Sequence, residues 1–442
     1  MSTKPLTVLF MPESAYGPTN NCAGIGDLLR GRGHRVVFAA EASWRGRLAP
    51  LGFEEALVDL TPPVDSADEG AEEGAEQDAG QFWKEFIRDT APEFRKPTVD
   101  QLTSFIRPTF EALIDGARYC EPRLRALLAD VAPDVVVEDN VVTFPALLTA
   151  GAPFVRIVSC NPLEVPGADV APTFSGLPAD DRAEWPAFRA EADRVLRPLW
   201  ESFDGWVREQ GASPLPELSF VHSSPELNLY VYPEALDYPR LRPLDSTWHR
   251  LDSSVRHTDA EFTLPDAVAD RPEGSALIYL SLGSLGSADV DLMKRLITVL
   301  ADTPHRYVVS MGPCHADLDL AGNMWGAEFL PQTRIMPLVD LVITHGGNNT
   351  VTEAVHFGKP MIVLPLFWDQ YDNAQRVAET GFGVRLDTYR FADTELHSAV
   401  ERLLGDHELR ARLDAVGGRV RANDGLTRAA DLIEALGRRG SR

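Results

Sequence analysis

The sequence predicts an α/β protein built from two Rossmann-like halves, and three observations carry that prediction. Residues 6–11 form an apolar strand, residues 22–32 have a helical pattern, and Gly33-His34 close it before a second strand over residues 35–39. A strand–helix–strand opening of this kind begins doubly wound domains. The same pattern restarts at the apolar run 276–280, far enough along the chain for a second sheet. Finally, an apolar strand over 340–343 runs into His345-Gly346-Gly347 and passes directly into a helical pattern at Asn348. Strand-to-glycine-to-helix turns place ligand groups at the strand ends of such sheets.

The remaining elements follow in order. Gly24 and Gly26 lie in the first helix, but Leu29 stands where a dinucleotide fingerprint needs its third glycine, so these glycines serve close packing. Residues 65–78 hold seven acidic residues and no basic ones, the composition of a solvated loop, here placed at 65–80. Phe82 and Phe86, one helical turn apart beside Trp83, read as core. Residues 134–137 are a buried strand that ends at Glu138-Asp139-Asn140, and 153–158 are the next. From 161 to 245 the periodicity loosens among prolines, and Phe174, Trp185, Trp200, Trp206, Tyr230, Tyr232 and Tyr238 read as core or interdomain packing. Residues 241–275 read as the interdomain connection. Strands are expected over 305–311, 324–330 and 382–386, with mostly helices after the last. The domains are therefore 1–240 and 276–424, with a last helix in 425–442.

Composition sets limits. A chain of 442 residues can bury two or three cores, and 44% hydrophobic with 24% charged content is that of a globular protein. A formal net charge of −24 argues against nucleic acid or an anionic membrane as a partner. Cys22, Cys120, Cys160 and Cys314 are scattered without disulfide or metal spacing, so a cytoplasmic location is expected. Residues 6–11 are cut off by Pro12-Glu13 and are too short for a signal segment, and no apolar run is long enough to insert in a membrane. Asp289-Val290-Asp291 precedes a helical run and reads as a cap rather than a metal site. No other Asp/His cluster has ligand spacing, and no metal or bound cofactor is expected.

The chemistry concentrates between Thr344 and Gln375. The glycines of His345-Gly346-Gly347 let backbone amides approach an anion, and the helix opening at Asn348-Asn349-Thr350 favours negative charge there. Asn349 and Glu353 share a helix face, with the amide nearer the anion and the carboxylate suited to neutral hydroxyls such as a ribose. A second buried strand, 361–366, ends at Asp369-Gln370, an acceptor plus a mixed donor/acceptor able to hold sugar hydroxyls. Upstream, the strand 276–280 ends in Gly283-Ser284, which can bind a phosphate or cap a helix.

These residues resemble the donor-binding signature of the family-1 glycosyltransferases, which use nucleotide-activated sugars and have the GT-B fold, two Rossmann-like domains facing each other across a cleft. The plant signature HCGWNSxxE with a distant DQ is met here by His345-Gly346-Gly347-Asn348-Asn349-Thr350-Val351-Thr352-Glu353 and Asp369-Gln370. Phe329-Leu330-Pro331-Gln332 resembles its W-x-P-Q opening, with Phe for Trp. The HGGxxT form is most similar to the bacterial branch that decorates antibiotics and other natural products. The resemblance implies that Phe329 and Gln332 sit at the base, and that His345, Ser284, Gly347, Asn348, Asn349 and Thr350 surround the phosphates. It implies Glu353 at the ribose, Asp369 and Gln370 at the sugar, and a last helix that crosses back to the first domain. Enzymes of this fold generally neutralise the leaving diphosphate without a metal.

One position departs from the pattern. The family carries a Gly-His pair between the first strand and first helix, whose His deprotonates the acceptor, and here that position falls on Pro18. Asp139 matches the carboxylate that orients the missing His, while Glu138 and Glu13 are the other carboxylates at strand ends. The expected function is inverting transfer of a hexose from a nucleotide diphosphate sugar to a small-molecule acceptor, with UDP-glucose the first donor and a TDP-sugar the second. The alternative is a catalytically silent sugar-nucleotide binder, a helper or sensor. Only the transferase releases free nucleotide diphosphate.

Overall fold

The computed structural model describes residues 4–62, 90–165, 167 and 169–440, and the acidic run and Phe82, Trp83 and Phe86 lie outside that set. Two all-parallel sheets account for the strands. The first has β1 (Thr7–Pro12), β2 (Arg35–Phe38), β3 (Glu54–Glu55), β4 (Val135–Asp139), β5 (Phe154–Val158), β6 (Leu227–Val231) and β7 (Trp248–Leu251) in the order β3-β2-β1-β4-β5-β6-β7. In the second, β8 (Leu277–Ser281), β9 (Arg306–Ser310), β10 (Met324–Ala327), β11 (Leu341–Thr344), β12 (Met361–Val363) and β13 (Gly383–Arg385) follow the order β10-β9-β8-β11-β12-β13. Both are doubly wound, with the order reversing beside β1 and beside β8. Parallel strands covered by helices on both faces need continuous apolar runs, which Val135-Val136-Val137 and Leu341-Val342-Ile343 supply, all fully buried.

The helices depart from the sequence reading in instructive ways. The first, α1 (Tyr16–Gly31), starts well ahead of Cys22 and takes in Pro18. Proline is favoured in a first turn, where the amide it lacks has no intrahelical partner. Gly24 and Gly26 are therefore mid-helix, and they do serve packing. A Cβ on Gly24 would stand 3.1 Å from Leu426 and one on Gly26 3.2 Å from Val36. Following α2 (Arg107–Val131), the region read as irregular contains α3 (Trp185–Glu209), with Pro186 in its first turn and Pro198 inside. Its buried Trp185, Phe188, Val195, Leu196, Phe203 and Val207 form the stripe that packs it down.

Part of the span expected to connect the domains is likewise ordered: Trp248–Leu251 is the seventh strand of the first sheet, paired with β6. In the second half, Asp289 accepts from the Leu292 amide at 3.1 Å and caps α4 (Val290–Ala301), as the capping reading requires. The chain continues through α5 (Asn348–His356), α6 (Gln370–Glu379), α7 (Asp393–Gly405) and α8 (His407–Asn423) to α9 (Gly425–Gly440). The last helix crosses back. Leu426, Ala429, Ala430, Ile433 and Leu436 join the core formed by Val8, Phe10, Ile25 and Val137 of the first sheet and α1. Among the described residues, no helix is long and apolar enough to cross a membrane.

Candidate active site

The strand ends of the two sheets face each other, and the site is built from the loops that leave them. On the second sheet, β8 and β11 are neighbours at the point where the strand order reverses. The turn after β11 carries His345 between two glycines. A Cβ on Gly283 would stand 2.6 Å from the imidazole and one on Gly347 2.5 Å from it, so any side chain at either position would displace the ring. Gly346 has φ +90, and its missing Cβ leaves room for Val363, which would otherwise be 2.7 Å away. Burial pushes the His345 pKa down to about 4, partly offset by a hydrogen bond to the Ser281 backbone. Its ring is therefore neutral at pH 7 and acts as a hydrogen-bonding group rather than a cation. Ser284, half-buried in the short helix Gly283–Gly286, stands on the same rim.

Gly347 leads into α5, whose first residues reach across to the other domain. The Asn348 amide donates to the carbonyls of Ser159 at 2.8 Å and Val231 at 2.9 Å, and its Oδ1 is buried without a partner. Asn349 donates to the Gly17 carbonyl at 3.0 Å and accepts from Asn21 at 2.8 Å. Thr350 accepts from Gln332 at 3.3 Å. Glu353, expected to be an open acceptor for hydroxyls, is instead buried and engaged. Gln332 donates to Oε2 at 2.6 Å, and the Arg256 guanidinium lies 3.3 Å from Oε1. Burial raises its pKa while Arg256 opposes the shift. Gln332 also accepts from the Tyr279 hydroxyl at 3.3 Å, whereas Phe329 is 48% exposed with its ring 5.6 Å from that of Tyr16.

Asp369 and Gln370 open α6. Trp368 precedes them with φ +56, a left-handed conformation that is costly for a bulky residue. Asp369 accepts from the Asn161 amide at 2.8 Å, and burial pushes its pKa up to about 7. The Gln370 side-chain oxygen accepts from the amides of Leu366 at 3.0 Å and Phe367 at 3.3 Å. That oxygen is committed to the turn, so Gln370 has its amide nitrogen to offer a sugar.

The opposite wall holds two of the three candidate carboxylates, Asp139 and Glu13. Asp139 ends β4 on the face turned toward α1, as Val135 and Val137 are. Its Oδ2 accepts from the Ser159 hydroxyl at 2.5 Å, and Cys22 lies 3.9 Å away. Burial raises its pKa to about 6 against the opposing pull of the Ser159 hydrogen bonds and the Arg156 charge. Glu13, half-buried at the end of β1, accepts from the Ala15 amide at 2.8 Å and from Ser14 at 3.2 Å, and burial raises its pKa to about 7. Glu138 points the other way. It shares the face of Val136, pairs in register with Arg156 and is fully buried. This placement removes Glu138 from the wall where sequence reasoning had grouped it with Asp139.

Several residues central to this arrangement were not singled out from the sequence. Asn21 donates to both the Ser159 hydroxyl at 2.7 Å and Asn349 at 2.8 Å, joining the wall that holds Asp139 to α5. Asn161 binds Asp369 through its backbone and Asn373 through its side chain at 2.8 Å. Arg256 comes from the connecting segment. Of these, only Asn373 carried a sequence signal, lying one helical turn beyond Asp369.

The chain is similar to known glycosyltransferases in sequence and in fold. Residues 269–415 match the family described as UDP-glucoronosyl and UDP-glucosyl transferase. The chain is 25% identical to demethyllactenocin mycarosyltransferase of Streptomyces fradiae, over 97% of this chain and 86% of that protein. Among solved structures it superposes on the glycotransferase of kitacinnamycin with a TM-score of 0.63 and 21% identity, covering 98% of this chain and 99% of the other. The glycosyltransferase VinC in complex with DTDP gives a TM-score of 0.64 at 18% identity, covering 98% and 100%.

Proposed function

Since this chain belongs to the family-1 glycosyltransferases of GT-B fold, in the branch that acts on antibiotics and other natural products, we propose that it moves a hexose from a nucleotide diphosphate sugar to a small-molecule acceptor with inversion. The observation that carries the reading is the convergence on one cleft of the His345-Gly346-Gly347 turn, the α5 N-terminus and Asp369. The first offers amides and a neutral imidazole to a diphosphate, and the last offers a carboxylate to sugar hydroxyls. UDP-glucose is the first donor to test. A TDP-sugar is the second, and the DTDP held by VinC supports including it.

In this reading the acceptor attacks the anomeric carbon from the face opposite the diphosphate, and the bond to the phosphate oxygen breaks as the new bond forms. On the same reading the developing charge falls on His345, Ser284, Asn349, Thr350 and the first amides of α5. No metal is invoked, because helix amides and side chains supply the stabilisation. The acceptor proton goes to a carboxylate, Asp139 first and Glu13 second, since Pro18 cannot take it. Both have pKa values lifted by burial toward the range where a base works near neutral pH.

Isothermal titration calorimetry tests the donor assignment. Glu353→Ala should weaken binding of UDP and TDP themselves by about 1–3 kcal/mol, because the Gln332 and Arg256 side chains that Glu353 holds lose their charged partner. Asp369→Ala should leave the free nucleotide diphosphate unaffected and weaken only the sugar-bearing donor. Equal loss of the bare nucleotide in both variants would refute this division.

A further inference from the structure

Beyond the residues assigned above, the helix that opens with Asp369 grips the opposite domain at a second place. Asp372 lies one turn along α6, buried, and each carboxylate oxygen accepts a backbone amide from the loop between β5 and α3. Phe174 donates to Oδ2 at 2.7 Å and Gly176 to Oδ1 at 2.8 Å. The Gly176 carbonyl accepts from Arg385 at 2.8 Å, and Ala179 donates to Glu379 at 2.8 Å. Donor-domain side chains therefore take the backbone of this loop at four points.

Two features show that the docking is specific rather than incidental. Gly176 has φ +60, and a Cβ there would stand 2.9 Å from Tyr371, so the loop fits α6 only with glycine at that place. Phe174 also has a left-handed backbone, φ 67, and its ring packs 4.6 Å from that of Trp368, the left-handed residue just before Asp369. Two bulky residues held in costly conformations, one from each domain, meet beside the carboxylate assigned to the sugar.

We propose that Asp372 is a positioning residue for transfer, fastening residues 172–179 of the acceptor-side domain to the helix that carries Asp369 and Gln370. The latch fixes the distance between the acceptor loop and the sugar, and with it the chance that the acceptor rather than water reaches the anomeric carbon. Asp372 touches neither substrate. Its effect passes through the loop. The inference rests on the transferase reading, and the readout separates the two.

The measurement is the partition between transfer and donor hydrolysis, using whichever of UDP-glucose and TDP-glucose the wild-type chain consumes and 4-methylumbelliferone as a phenol acceptor. Asp372→Asn keeps the volume but turns an N–H toward one of the two amides. It should lower the transfer-to-hydrolysis ratio at least tenfold and leave the dissociation constant of the nucleotide diphosphate within twofold. Gly176→Ala attacks the same contact from the other domain and should give the same phenotype, which keeps the test open if Asp372→Asn folds poorly. A merely structural role would depress transfer and hydrolysis together and leave their ratio unchanged, and that result in either folded variant overturns the inference alone. A wild-type chain that neither transfers nor hydrolyses either donor overturns the transferase reading and this one with it.

Discussion

Asp139 and Glu13 differ by environment in a way that a pH profile can read. A base acts when deprotonated, so the rate should climb as pH rises and level off above the pKa of the group responsible. Asp139, lifted to about 6, predicts a plateau above about pH 6, whereas Glu13, at about 7, moves the inflection a unit higher. Asp139→Asn should cost about 10²–10⁴ in rate if it is the base. Glu13→Gln should then have little effect, and the inflection should remain near 6. Near-native rates in both variants would leave acceptor acidity or plain positioning to carry the proton. The presence of these carboxylates at strand ends was legible in the sequence, but their facing was not. Glu138 and Asp139 are adjacent, and only the register of β4 against β5 sends one to Arg156 and the other to Ser159. Glu353 shows the same limit. Its place on α5 followed from spacing, whereas its partner Arg256 comes from a segment with no periodicity to read.

At the scale of elements, the second sheet was the more readable half. Its strands are short apolar runs between glycine turns, and the helix opening at Asn348 begins where the motif placed it. The misses have identifiable causes. Pro18 lies inside α1 because a first turn tolerates proline, and Pro186 and Pro198 mask the apolar stripe of α3 in the sequence. β7 is too short to stand out from its surroundings, and only its pairing with β6 defines it. The crossing of the last helix followed from the family resemblance, and its docking makes a prediction. Ile433 is fully buried among residues of β1, β4 and α1, so Ile433→Ala should destabilise the protein by about 2–5 kcal/mol. Chemical denaturation should show this as a lower midpoint with an unchanged slope. A change near zero would mean that α9 rests on the first sheet without contributing to its core.

At the scale of the whole molecule, two halves of similar winding are held by polar contacts between their strand-end loops as well as by the crossing helix. Sequence reasoning reached the two-sheet architecture because strand–helix alternation repeats locally. It could not reach the contacts between the sheets, which join positions as distant as Asn21 and Asn349 and have no local pattern. The aromatic residues between 161 and 245 divide as expected between core and interdomain packing, with Tyr232 fully buried and Phe174 against Trp368.

The Asn21 bridge bears on the order of events in time. Its single amide group holds Ser159 beside Asp139 and, at the same moment, Asn349 at the head of α5. The Asn349 N–H that a diphosphate would use is itself donated to the Gly17 carbonyl, one turn before Asn21 in α1. A diphosphate that needs Asn349 therefore has to wait until α5 and α1 part, and arrival is the product of an opening equilibrium and an encounter rate. Association should then be slower than diffusion allows, and its observed rate should saturate as nucleotide concentration rises. Asn21→Ala removes the bond without touching the phosphate-facing amides. In stopped-flow mixing it should raise the association rate of UDP or TDP several-fold and relieve the saturation. An unchanged association rate would mean that the cleft opens by a motion in which this bond takes no part.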